Sequence, residues 1–208
     1  TLELGVKNLS FHLNHITVPP AVEALLNDKE SKIDGFLGPS HVSVIIGTKP
    51  YENIVNFHKK PVAVSGFEPL DIMDGVLNLV LQLENGTHEI YNEYSRVVKP
   101  EGNQTALSLI NKYFKPCDFE WRGLGMIKNS GMTLKDEFSF LDARVKFDVR
   151  VESKPENRAC ICGEILKGKA KPYDCKVFGK ACNPQNPIGS CMVSSEGACA
   201  AYYKYKRA

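Results

Sequence analysis

Six of the seven cysteines in this 208-residue chain lie within its last 49 residues. They are Cys160, Cys162, Cys175, Cys182, Cys191 and Cys199, whereas Cys117 stands alone and is expected to be an ordinary buried side chain. A small secreted domain would use six cysteines as three disulfides, but the preceding 150 residues have the pattern of an α/β domain that needs no covalent staples. Clustering of cysteines at one end of such a chain favours a metal or redox site.

The spacing of these six cysteines limits which metal they suit. It is Cys-x-Cys-x12-Cys-x6-Cys-x8-Cys-x7-Cys, without the paired short knuckles that close most structural zinc sites. A four-iron four-sulfur cluster needs four thiolates and tolerates irregular spacing. Either metal site uses four of the cysteines and leaves two. If those two form a disulfide beside a cluster, the one-electron steps of the cluster can be coupled to the two-electron reduction of the disulfide. Spacing alone does not choose four ligands from six, and a zinc-bound interaction module stays an alternative.

Upstream of the cysteines, short apolar strands alternate with amphipathic helical stretches. This alternation predicts a doubly wound α/β domain with a parallel sheet over residues 1–149, followed by a small loop-rich domain over residues 150–208. The favoured interpretation of its cysteines makes this second domain an iron–sulfur domain. The boundary rests on a polar, turn-prone stretch at 152–157. The predicted strands are 6–13, 33–37 and 62–65, and the predicted helices are one opened by Pro19-Pro20 and those near 70–83, 103–114 and 194–205.

Two of the predicted strands end in turns that carry one ionisable residue each, His41 and Glu68. Ligands of open parallel sheets bind outside the carboxyl ends of the strands, so both residues are candidate site residues. The alternative is that each one begins a helix or packs against a neighbour. No Gly-rich phosphate loop occurs in the sequence, so a bound nucleotide has no support.

Charge and hydropathy exclude two classes of partner. Residues 1–150 carry a net charge of −3 and residues 151–208 a net charge of +5, but the tail lysines are scattered and no aromatic platform accompanies them. We therefore expect no nucleic-acid binding. No apolar run approaches the roughly 18 to 20 residues of a membrane span, so no membrane association is expected either.

Several motifs occur in one order along the chain. They are PSHVS at 39–43, GFEPLD at 66–71, WRGLG at 121–125 and the long run GSCMVSSEGACAAYY at 189–203. In this order they resemble the HypD family of nickel–iron hydrogenase maturation proteins, and the resemblance covers nearly the whole chain. Ser40 and the run YNEYSR at 91–96 depart slightly from the family's pattern.

The resemblance implies a function. Proteins of this family act as a scaffold on which an Fe(CN)2CO unit is assembled for nickel–iron hydrogenase, with a HypC-type chaperone and a HypE-type cyanide-delivering protein as partners. Such a scaffold is cytoplasmic and does not act as an enzyme without its partners. The runner-up interpretation is a stand-alone iron–sulfur disulfide reductase similar to ferredoxin:thioredoxin reductase.

The resemblance also assigns the cysteines. It implies that Cys160, Cys175, Cys182 and Cys199 bind a 4Fe–4S cluster and that Cys162 and Cys191 form a redox pair. His41 and Glu68 would line the cleft near the iron under construction.

Two motifs that the resemblance associates with that iron, Cys-Gly-x-His-x-His and Gly-Pro-x-Cys-Pro-x-Cys, do not occur in these 208 residues, and the first residue is Thr1. We therefore expect the chain to be a fragment that binds a cluster without completing assembly.

Overall fold

The computed structural model describes residues 5–148 and 157–205. Contacts between Cα atoms divide the chain into two units, one formed by residues 1–32 with 116–208 and the other by residues 33–115. The predicted domain boundary at residues 149 and 150 lies outside the described residues and stays a prediction. None of the helices within the described ranges is long and apolar enough to span a membrane.

The described residues contain six strands and nine α-helices. The strands are β1 His15–Ile16, β2 Phe36–Pro39, β3 Val62–Ser65, β4 Ile90–Asn92, β5 Phe114–Trp121 and β6 Gly125–Leu134. The helices are α1 Val18–Asn27, α2 Ser40–Ile46, α3 Glu52–Asn56, α4 Pro69–Asn85, α5 Gln104–Tyr113, α6 Ala143–Lys146, α7 Cys162–Leu166, α8 Ser190–Val193 and α9 Ala198–Tyr205.

The unit of residues 33–115 contains a parallel sheet of order β2-β3-β4. Phe36 pairs with Val62, which pairs in turn with Ile90. All four residues of β3 are buried, as its apolar sequence predicts for a central parallel strand. The predicted parallel sheet and the bounds of β3 are confirmed. β2 begins three residues later than predicted, after Asp34 and Gly35, which are residue types that strands disfavour.

The long helix α4 agrees with its predicted periodicity. Pro69 occupies its first turn, and Gly86 ends it with a left-handed φ of 67°. A Cβ on Gly75 would lie 2.9 Å from Leu37 Cδ1 and 3.1 Å from Ser65 Cβ, so glycine allows α4 to pack closely on β2 and β3. The predicted helix near 103–114 is also confirmed as α5, with the Asn103 side chain accepting a hydrogen bond from the Ala106 N–H at 3.0 Å.

The other unit contains an antiparallel sheet of order β1-β6-β5, which the sequence did not predict. Gly123 and Gly125, both at positive φ, allow the sharp turn between β5 and β6. The predicted strand at 6–13 is wrong. Within that segment only Phe11 forms a bridge, to Asp142, and Val6 and Leu9 are about 40% exposed, so its alternating pattern has no sheet face to bury against.

Residues 157–205, called here the cysteine-rich region, are loop-rich as predicted. The helices α7, α8 and α9 have five, four and eight residues. The last helix begins at Ala198, later than predicted, because a turn closed by the Gly197 N–H and the Ser194 carbonyl precedes it. Lys167 contacts Asp28 at 2.8 Å and Lys169 contacts Glu30 at 2.6 Å, so ion pairs join this region to the segment after α1.

Mixed α/β structure with a parallel sheet and a loop-rich C-terminal region is therefore confirmed. The doubly wound arrangement of the sheet stays a prediction.

Candidate redox and metal centre

Five of the six tail cysteines lie in or against one buried core of the cysteine-rich region. Four of them, Cys162, Cys182, Cys191 and Cys199, belong to one buried core together with Ile165 and Met192, and Cys160 packs against it. Cys175 is also buried. Helices α7, α8 and α9 carry Cys162, Cys191 and Cys199, whereas turns and loops carry the other three. Sulfur atoms that are far apart in sequence thus share one apolar interior.

Cys162 and Cys191 form the closest contact between sulfurs. Their Sγ atoms lie 2.7 Å apart, and both residues are buried. Cys162 is the first residue of α7, and Cys191 is the second residue of α8, so two short helices present the two sulfurs to each other. The Ser190 hydroxyl lies 3.1 Å from Cys162 Sγ and 3.3 Å from the Arg122 carbonyl oxygen.

Backbone groups and one glycine lie close to the remaining sulfurs. The Ile188 N–H donates to Cys182 Sγ at 3.4 Å, and Cys175 Sγ lies 3.8 Å from the Ala159 carbonyl oxygen. A Cβ on Gly189 would lie only 2.5 Å from Cys160 Sγ. Glycine at this position therefore preserves the space that the Cys160 sulfur occupies.

The surroundings of three of these thiols, Cys160, Cys191 and Cys199, disfavour the ionised form in the absence of a metal. Burial, followed by the neighbouring thiols, raises the pKa of Cys199 to about 12, and burial also raises the pKa of Cys160. The hydrogen bond with Cys162, followed by burial, raises the pKa of Cys191. Several buried thiolates repel one another, and a bound cationic metal centre is the usual means of stabilising them.

The donor set suits an iron–sulfur cluster. Within residues 5–148 and 157–205, no three His, Cys, Asp or Glu side chains converge as they would around one metal ion. A four-iron cluster binds each of its four thiolates through a different iron, so it needs more separated sulfurs than one ion does. Buried thiols in an apolar core with a nearby backbone amide are the surroundings that such clusters occupy, and the residues present fit the group.

His41 and Glu68 lie in the unit of residues 33–115, where they follow neighbouring parallel strands. Pro39 pairs with Ser65 at the carboxyl ends of β2 and β3, as the sequence predicts for these turns. Both side chains are exposed. The His41 ring stacks on Phe67 with centroids 5.4 Å apart and an angle of 25° between the planes. Sequence reasoning missed Phe67, which is 64% exposed.

An ion-pair network that sequence reasoning also missed supports the turn before Phe67. Arg96 donates to Asp71 Oδ2 at 2.6 Å and to Glu93 Oε1 at 3.1 Å, and its guanidinium lies 4.1 Å from the centroid of the Tyr94 ring. The other Glu93 carboxylate oxygen accepts the Gly66 N–H at 3.2 Å. The acidic and basic residues in YNEYSR were the available signal, but their partners are 25 and 27 residues away in the chain.

Cys117 lies outside the buried cysteine core, on strand β5. It is half-buried rather than buried as predicted. A Cβ on Gly131 of β6 would lie 3.0 Å from its sulfur, so Cys117 packs across the antiparallel sheet.

Comparison with known proteins tests the resemblance directly. A family model described as "Hydrogenase formation hypA family", HypD, matches residues 1–206. The chain belongs to the HypD family. A hydrogenase maturation factor HypD from Cupriavidus necator is 46% identical over 97% of the chain and 55% of its own length. A hydrogenase expression/formation protein HupD from Azotobacter chroococcum is 44% identical over 98% of the chain and 55% of its own length.

A third relative has a similar extent of overlap with the chain. A putative hydrogenase expression/formation protein of Methanocaldococcus jannaschii is 42% identical over 96% of the chain and 56% of its own length. The chain thus spans little more than half the length of the curated relatives it matches. We therefore assign the activity of a whole HypD protein to this chain only as a proposal.

Proposed function

We propose that the chain is part of a hydrogenase maturation scaffold with an internal electron relay. Cys160, Cys175, Cys182 and Cys199 bind one 4Fe–4S cluster, and Cys162 and Cys191 form the adjacent redox pair. The observation that carries the proposal is the 2.7 Å contact between Cys162 Sγ and Cys191 Sγ within a buried core that also holds other tail cysteines. Membership of the HypD family supports the connection with hydrogenase formation.

The redox pair alternates between a dithiol and a disulfide. Oxidation removes two electrons and two protons from Cys162 and Cys191 and forms one S–S bond, and reduction reverses this. When bound, the cluster supplies one-electron chemistry beside the pair. The Ser190 hydroxyl, 3.1 Å from Cys162 Sγ, donates a hydrogen bond to that sulfur when it is a thiolate.

The same proposal extends to the assembly reaction. In the complete protein, the scaffold supports formation of the Fe(CN)2CO unit in the cytoplasm together with a HypC-type chaperone and a HypE-type cyanide-delivering protein. His41 and Glu68 line a cleft of the doubly wound domain, where their exposed imidazole and carboxylate hold or protonate a ligand of the iron. The chain acts as a scaffold rather than as an enzyme on its own.

A series of serine variants tests the two cysteine roles. Each of Cys160→Ser, Cys175→Ser, Cys182→Ser and Cys199→Ser is expected to lose cluster iron and visible absorbance in anaerobically prepared protein. Cys162→Ser and Cys191→Ser should keep the cluster but lose the two-electron midpoint in a thiol redox titration, and Cys117→Ser is the matched control that keeps both. Loss of iron in the Cys162→Ser protein would show that the ligand assignment is wrong.

A second candidate function is a stand-alone disulfide reductase, because a sulfur pair in close contact is also what such an enzyme uses. The reduced, cluster-loaded protein would then turn over a small disulfide with an external electron donor. Absence of turnover with an intact cluster would exclude this function for the chain.

A further inference from the structure

A cavity of about 460 Å³ lies beside the redox pair. Its volume falls within the range of small-molecule sites, roughly 300 to 1,000 Å³. Ile16, Phe119, Trp121 and Leu166 supply apolar walls, and Ser190 and Cys191 line it where α8 begins. The Trp121 indole donates to Ser130 Oγ at 2.8 Å, which fixes the orientation of one wall.

The two cysteines of the pair differ in their relation to this cavity. Cys191 lines it, whereas Cys162 is not among the lining residues. Cys191 is only 4% exposed, so a ligand that reaches it must enter the cavity rather than touch the outer surface. The flat face of a protein partner suits such a recessed residue poorly, whereas a small thiol can enter.

The charges that line the cavity have both signs. Arg122 contributes a guanidinium, of which one N–H donates to the Ile188 carbonyl at 3.3 Å, leaving a planar fork with four further N–H donors. Glu196, in the turn before α9, contributes a carboxylate, and Glu120 also lines the cavity. A guanidinium recognises a carboxylate, and a carboxylate recognises an ammonium group.

We propose that this cavity binds a zwitterionic low-molecular-weight thiol, of the amino-acid or short-peptide type, which exchanges electrons with the redox pair through Cys191. This inference rests on the proposed redox pair and names its small-molecule partner. Arg122 binds the carboxylate of the thiol, and Glu196 binds its ammonium group. The apolar walls contact its short alkyl chain.

The exchange balances in two steps. The ligand thiolate attacks Cys191 Sγ of the Cys162–Cys191 disulfide, forming a mixed disulfide on Cys191 and releasing Cys162 as a thiolate. The Ser190 hydroxyl donates a hydrogen bond to the released sulfur, which takes a proton from solvent. A second ligand thiolate attacks the ligand sulfur, giving a ligand disulfide and a Cys191 thiolate that is then protonated. Two ligand thiols are oxidised, and the pair is reduced by two electrons.

The test uses cluster-loaded Cys162→Ser protein, in which a mixed disulfide on Cys191 cannot be resolved by its partner. The probes are L-cystine, cystamine, which lacks the carboxylates, and 3,3′-dithiodipropionate, which lacks the ammonium groups. Adduct formation is followed by mass spectrometry after acid quenching, and each rate is divided by that for an unstructured cysteinyl peptide. L-cystine is expected to react at least about fivefold faster than either analogue, as loss of one partly exposed charge-assisted hydrogen bond implies.

Charge-removing variants assign each preference to its residue. Both variants are made in the Cys162→Ser background. Arg122→Gln should make the normalised rate for L-cystine equal to that for cystamine. Glu196→Gln should make the normalised rate for L-cystine equal to that for 3,3′-dithiodipropionate. Lys128→Gln, which removes an exposed charge on β6 outside the cavity lining, should change neither ratio.

Two results would overturn the proposal. One is equal normalised rates for the three probes, which would point to a protein thiol as partner. The other is an adduct that forms as fast on Cys162 in the Cys191→Ser protein. Loss of iron from the Cys162→Ser protein is a separate outcome, since it contradicts the proposed ligand set and not the ligand of the cavity.

Discussion

Replacing Gly189 with alanine should damage the cluster site without unfolding the protein. The added Cβ would lie 2.5 Å from Cys160 Sγ and 3.2 Å from Cys162 Cβ, so the Cys160 sulfur must move by roughly 1 Å to reach ordinary contact. Gly189 has an extended backbone with φ −101°, which alanine adopts without strain. The substitution therefore acts through its contacts with Cys160 and Cys162 and not through backbone strain.

The size of the effect follows from the cost of overpacking a core. One added methyl group in a well-packed interior costs about 1 to 3 kcal/mol, which most small domains tolerate. A ligand sulfur displaced by roughly 1 Å no longer fits the geometry of a rigid cluster, so iron content should fall much more than stability does. We expect less than half of the wild-type iron per chain in anaerobically reconstituted Gly189→Ala protein.

The matched control is Gly179→Ala in the same cysteine-rich region. Its φ of 68° makes alanine unfavourable by about 1 to 2 kcal/mol, but no atom lies within 4 Å of the added Cβ. The two variants should lose similar free energies of unfolding in urea, whereas only Gly189→Ala should lose iron. Equal iron retention in both variants would refute the role of Gly189 in shaping the cluster site.

Three further predictions concern stability. Arg96→Ala leaves two carboxylates, each on a side chain only 11% exposed, without their ion pair, and should lower the free energy of unfolding in urea titrations; an unchanged free energy would contradict the network. The hydrogen bond with Arg144 lowers the pKa of Asp142 below 3.8, so this carboxylate stabilises the fold above that value and ceases to do so as the pH falls through its folded pKa. Asp142→Asn retains an oxygen for the Arg144 N–H and should cost about 0.5 to 1 kcal/mol at pH 7, with a gap that closes in acid; a gap independent of pH would contradict this assignment. Removing the cluster with a chelator should raise amide hydrogen exchange in the cysteine-rich region and leave strand β3 protected, whereas uniform exchange in both would show that no cluster supports the region.

The fold was predictable where periodicity is strong and the partners are near in sequence. The apolar run of β3 and the helical period of the apolar residues in α4 each indicate one element type locally, although the apolar side chains of α4 are largely exposed. Residues 42–46 are apolar apart from Ser43, a pattern that suits a strand or a helix, and they form the greater part of α2. The hairpin of β5 and β6 depends on two glycine turns and on pairing with β1 across a large sequence separation, which local patterns do not encode.

The candidate site shows the same division. Cysteine clustering predicted one centre in the tail, and the structure gathers five of the six tail cysteines in or against one buried core. The pairing of Cys162 with Cys191 was predicted from the family resemblance, because the spacing of six cysteines does not indicate which two form a pair. The contacts of the Ser190 hydroxyl with Cys162 Sγ and with the Arg122 carbonyl oxygen were not predicted, because they join segments 28 and 68 residues apart in the chain.

The central claim is that the six clustered cysteines serve an iron–sulfur cluster and a redox pair. Its most direct test is the iron, zinc and acid-labile sulfide content of anaerobically purified protein, measured with the visible spectrum. We expect about four iron and four sulfide per chain with a broad absorbance shoulder near 400 nm. About one zinc per chain without sulfide would contradict it, because the tail would then be a structural metal site without an electron relay.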